Sequence, residues 1–147
     1  MESIKLALMQ RLKEALPCLC TIDEDYGQLE YNDDQYPVIT PAVFINMDST
    51  EWRTESAIHP ILQLGTTQVT LKYAIKCYDD THLGSSTEDK IREREEQAEK
   101  VFLSVQGYRN ARISPMTRTQ SREYTSGDIK VYETTFEFQQ RILFSGK

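Results

Sequence analysis

The sequence predicts an α+β fold, with two helices packed on one face of a mostly antiparallel sheet of four strands or slightly more. Three observations lead there. Two segments carry apolar residues at helical spacing, several others alternate with period two, and the order along the chain is helix, strand, strand, helix, strand, strand.

Residues 3–16 form the first predicted helix. Ile4, Leu8, Leu12 and Leu16 recur every four residues, Ser3 caps the start and Pro17 ends it. The run VITPAVFINM is rich in β-branched and aromatic residues and predicts a strand over about 42–47. TTQVTLKYAIKCY, residues 66–78, is the clearest strand: Val69, Leu71, Tyr73, Ile75 and Cys77 point one way, and Thr70, Lys72, Ala74 and Lys76 the other. Ser86 or Thr87 then caps a second helix that runs to about Gln106, with Ile91, Ala98, Val101, Phe102 and Val105 in one stripe. Gly107 supplies the left-handed residue that closes it. Residues 112–124 and 129–144 flank the turn sequence Ser126-Gly127-Asp128 and predict a hairpin, with Tyr132, Phe136, Phe138 and Ile142 on one face of its second arm.

At 147 residues the chain is sized for one domain, with 39% apolar and 27% charged residues. The net charge of −6 argues against a general or sequence-specific nucleic-acid binder. That sum conceals an asymmetry. Residues 1–60 hold four Lys or Arg against eleven Asp or Glu, a balance of −7, whereas residues 108–147 hold seven against four, a balance of +3. The three cysteines form no disulfide framework, and the N-terminus is not a signal peptide. No apolar run reaches the roughly 18 residues a membrane span needs, so a soluble protein made in the cytoplasm is expected.

Two segments lie outside this pattern. The stretch TIDEDYGQLEYNDDQYP, residues 21–37, carries six carboxylates, three tyrosines and no basic residue. Its glycine and acidic positions do not match a calcium loop, which needs Gly at position 6 and Glu at position 12. Residues 48–65 hold the only tryptophan and read as a projecting loop or hairpin arm. Trp52 beside Arg53 is a candidate interface anchor.

Catalytic signals are absent from the sequence. Cys18 and Cys20 lack the further ligands of a zinc site and are read as small buried hydrophobes. His59 and His82 stand alone beside turn residues, and no phosphate-binding or nucleophile motif occurs. The sequence therefore points to neither an enzyme, a metal site nor a cofactor.

The succession of elements, from a short N-terminal helix through YPVITPAVFI, TTQVTLKYAIKCYD, a charged helix and a closing hairpin, resembles the small tail-completion and tail-terminator proteins of tailed bacteriophages over about residues 6–142. That resemblance implies a single tail-terminator-like domain over 1–147, located in the virion neck or tail. It further implies a homo-oligomeric ring of six or more copies that contacts connector and tail proteins, without membrane association. In such a ring Asp23, Glu24, Asp25, Asp33 and Asp34 are candidates to face Arg112, Arg118, Arg122 and Tyr124 of a neighbour, with Trp52 and Arg53 as further contacts. The rival readings are a non-viral assembly or adaptor module of the same topology, and a small metal-dependent hydrolase or nuclease.

Overall fold

The computed structural model describes residues 3–29, 38–76 and 88–145. Helix α1 is Ile4–Ala15, strands β1, β2 and β3 are Thr21–Glu24, Ala42–Ser56 and Ile61–Lys76, helix α2 is Glu88–Val105, and β4 and β5 are Thr117–Ser126 and Ile129–Phe144. Ser3 caps α1, its hydroxyl accepting from the Leu6 amide at 3.3 Å. Gly107, at φ +80°, ends α2 in the left-handed conformation. The expected cap of α2 at Ser86 or Thr87 lies outside the described residues.

The strands form one sheet in the order β1-β2-β3-β5-β4. β1 pairs with β2 in parallel, and every other pairing is antiparallel, so the sheet is mixed and has five strands. The fifth strand corrects the reading of residues 21–37 as one irregular stretch. The short strand Thr21-Ile22-Asp23-Glu24 was hidden by its charge: Ile22 packs against the core, while Glu24, two residues on and so on the same face, is exposed and pairs with Lys5.

Both helices lie on one face, as the apolar periodicities predict. Leu8, Leu12, Ala98, Val101, Phe102 and Val105 meet Val43, Ile45, Val69, Leu71, Tyr73, Phe136 and Phe138 in one buried cluster. Burial holds the Tyr73 hydroxyl pKa up at about 12, with Cys18 and Tyr132 adding to the shift. A smaller cluster on the opposite face joins Ala42, Phe44, Ala74 and Val131 to Leu29. The acidic segment thus buries its last described residue against the sheet.

Three sequence expectations change. The strand expected at 42–47 continues to Ser56, and the strand expected at 66–78 starts at Ile61, so residues 48–65 are mostly strand. The first arm of the closing hairpin begins at Thr117 instead of residue 112, because residues 108–116 fold back, the Met116 amide donating to the Tyr108 carbonyl at 2.9 Å, with Ile113 and Met116 buried in the core. Cys18 and Cys20 are exposed, not buried: in the turn after α1 they flank Leu19, which takes the inward position.

Candidate interaction surface

Beyond the helix-covered part of the sheet, β2, β3 and β5 continue outward as a three-stranded arm. Register shifts interrupt β2 between Met47 and Thr50 and again between Thr54 and Ser56. Each shift is a bulge that bends and twists the strand. Between them Thr50, Glu51, Trp52, Arg53 and Thr54 pair regularly with Thr67, Thr66, Gly65, Leu64 and Gln63. The arm carries much of the exposed apolar surface among the described residues: Trp52 is 46% exposed, Leu143 62%, Phe144 53% and Ile58, in the turn, 82%. Single exposed apolar side chains are ordinary; here Phe144 lies on the face of Trp52 and Leu143 on the other, which makes the arm a candidate contact surface.

Trp52 has a built seat. Its ring lies over the backbone of Gly65, where an added Cβ would stand 2.7 Å from Trp52 Cζ3 and 2.8 Å from Cε3. Only glycine leaves room for the ring on the pleat, which is why a glycine interrupts an otherwise strong strand. Arg53, on the opposite face of β2, pairs with Glu55 and remains largely exposed. The Thr50 and Thr67 hydroxyls hydrogen-bond across the arm at 2.7 Å. At the turn, His59 meets Phe144 edge-on with ring centroids 6.5 Å apart, and its Nε2 lies 3.0 Å from the Ser145 carbonyl oxygen. His82 lies outside the described residues.

The acidic residues have partners in their own subunit. Asp23 is half-buried, its Oδ1 accepting from the Glu24 amide at 2.7 Å. Glu24 meets Lys5 of α1 at 2.6 Å, on the helix side of the sheet. Asp25 pairs with Lys72 at 2.9 Å, with only 10% and 14% of the two side chains exposed, and its other oxygen accepts from the Gly27 amide at 3.0 Å. Asp33 and Asp34 lie outside the described residues.

The basic residues of the closing hairpin are engaged in the same way. Arg118 reaches back to α2 and donates from both terminal nitrogens to Glu99, at 2.8 and 3.1 Å. This fork holds the Glu99 carboxyl below the usual carboxylate range, chiefly by hydrogen bonding. Arg122 pairs with Glu133 across the ladder, and its guanidinium lies 5.0 Å from the centre of the Tyr124 ring. Tyr124 itself packs against the smaller cluster. Arg112 is exposed near the base of the arm, where its carbonyl accepts from the Arg141 amide at 3.4 Å.

The register also sets Lys72 opposite Glu133. Asp25, Lys72, Glu133 and Arg122 therefore form one row across the face that the helices leave uncovered, linking the acidic segment to the basic hairpin within a subunit. Sequence reading singled out the two ends of this row and missed Lys72 and Glu133. Their alternation within β3 and β5 was the available signal, since it places both on the face opposite Leu71 and Phe136.

A cleft of about 330 Å³ separates α2 from β4, lined by Glu95, Glu99, Arg118, Ser121 and Tyr132 among others. Glu99 and Arg118, both in its lining, pair with each other. Among the described residues, no three of His, Cys, Asp and Glu gather as a metal ligand set, and no helix is long and apolar enough to cross a membrane.

No family model matches the chain, and no curated protein matches it in sequence. In fold it is similar to a chain of a solved structure described as the virion of a native gene transfer agent particle. The TM-score is 0.50 at 8% sequence identity, and the correspondence covers 95% of this chain and 96% of the other. At that identity the likeness is one of fold.

Proposed function

We propose that this chain is a structural protein of a phage-like virion. In this reading it forms a ring of six or more copies, in the neck or at the head-proximal end of the tail, that joins the connector to the tail. It works without catalysis or cofactor, through contacts with its own copies and with neighbouring connector and tail proteins.

The observation that carries this reading is the end-to-end likeness in fold to a chain of a virion particle, 95% of one against 96% of the other. The arm adds to it, because an apolar extension with both faces open suits a protein whose work is contact with other chains.

Particle analysis tests the proposal. A tagged copy should purify with intact particles at a fixed ratio to connector protein, and density for a ring of this fold should appear between head and tail. Cells lacking the gene should yield heads and tails that fail to join. Normal joining without the gene, or its product missing from intact particles, overturns the reading.

A further inference from the structure

The outer edge of β2 is covered by β1 only at Ala42, Val43, Phe44 and Ile45. Beyond Ile45, among the described residues, no strand pairs with that edge. An open edge presents unpaired amides and carbonyls and is a template for another strand. DSTEWRTES, residues 48–56, contains no lysine and no proline, so its edge is guarded only by two bulges and by Asp48, Glu51, Arg53 and Glu55. The two bulges confine regular pairing to five residues, Thr50-Glu51-Trp52-Arg53-Thr54.

Those five residues read as a chemical palindrome. When a second copy is laid antiparallel and centred on Trp52, Thr50 meets Thr54, Glu51 meets Arg53, and Trp52 meets Trp52. Alternation places Glu51 and Arg53 on one face and Thr50, Trp52 and Thr54 on the other. The symmetric register therefore yields two opposite-charge cross-strand pairs on one face and an aromatic pair flanked by threonines on the other, both favourable arrangements. The neighbouring symmetric register, centred on Arg53, sets Arg53 against Arg53 and Glu51 against Glu55, and like charges there oppose pairing.

The lengths also agree. Centred on Trp52, the second copy's Ser56 stands opposite Asp48, and its turn begins beside Met47, two residues from Ile45, where the pairing of β1 ends. The five residues that would pair, 50–54, lie clear of the four that β1 covers, 42–45.

We infer that the arms of two free subunits join through the outer edges of β2, antiparallel and centred on Trp52, to make a two-fold dimer. Such a contact uses the same surface on both copies and closes at two, so it differs from the head-to-tail contact that builds a ring. It stands independently of the virion reading.

Sedimentation of the full-length protein from about 2 to about 200 µM, the range in which a modest interface reports itself, tests this. Wild type should pass from monomer to dimer. Glu51→Arg and Arg53→Glu, both at exposed positions, should each weaken the dimer by about tenfold or more. An equimolar mixture of the two variants should dimerise, since each then meets opposite charge, and the double variant carrying both changes should recover wild-type association. Wild type staying monomeric throughout overturns the inference. So does single-variant association at wild-type strength, or assembly only into species larger than two that ignores both substitutions.

Discussion

The Asp25–Lys72 pair offers a direct test of how the acidic segment is held. Lys72→Met keeps the aliphatic stem but removes the ammonium, leaving the Asp25 carboxylate with the Gly27 amide in a site where only 10% of its side chain meets water. Removing one partner of a fully buried pair costs about 3–5 kcal/mol, because the remaining charge is left uncompensated. Here water still reaches 10% and 14% of the two side chains, so a loss of about 2–3 kcal/mol is expected. For a domain of this size that lowers the melting temperature by roughly 5–10 °C.

The double variant Asp25→Leu/Lys72→Met should recover much of this loss. It removes both charges together and forfeits chiefly the Gly27 hydrogen bond, worth about 1 kcal/mol. Denaturant unfolding of wild type, the two single variants and the double variant forms a closed cycle, from which the coupling is read directly. The expected coupling is about 1–2 kcal/mol. A loss below about 0.5 kcal/mol for Lys72→Met, with strictly additive double-variant behaviour, would refute the claim that this pair ties the segment to the sheet.

Three further outcomes are expected. Gly65→Ala should drive the Trp52 ring off the strand, with a shift in tryptophan emission and a stability loss of about 1 kcal/mol read by denaturant unfolding, because the ring sits at the surface and can move. Glu99 has its folded pKa depressed by Arg118, so its contribution is present above the unfolded glutamate pKa and is lost as pH falls through the lower folded value. Glu99→Gln should therefore lessen the acid sensitivity of unfolding over that window, by a few tenths of a kcal/mol at most because the side chain is 49% exposed. If instead neighbouring subunits meet through Asp23, Glu24 and the hairpin arginines, light scattering should show assembly weakening between 0.1 and 1 M salt, as the Debye length falls from about 10 Å to about 3 Å.

The parts of the fold legible in sequence were those where one face is buried and the other wet. In α1, in α2 and in the helix-covered half of β3 and β5, periodicity survives because Leu8, Val101, Leu71 and Phe136 all point into one core. The arm was legible only as a loop or a hairpin arm, without strand bounds, because alternation in its β2 half separates nothing: Trp52 and Arg53 lie on opposite faces, both exposed. β1 was obscured for a different reason. A four-residue parallel edge strand is held by its neighbour's backbone, so Thr21-Ile22-Asp23-Glu24 needs no strong propensity of its own. The charge asymmetry was legible as composition, but its partners were not, since pairing Asp25 with Lys72 requires knowing that residue 25 follows a strand beside β2.

These intrachain pairs bear on where another chain can bind. A neighbour recruiting Asp25 must break a pair that is largely out of water, and one recruiting Arg118 must displace a two-pronged contact with Glu99, so each offers only the difference between two similar interactions. The arm carries no such prior commitment on its apolar side. Trp52 and Phe144 gain by leaving water whatever else they do, and the edge of β2 gains main-chain hydrogen bonds that no described strand supplies. Should subunits associate, the energetic advantage therefore lies with contact through the arm, and the charged rows would set orientation once subunits are close.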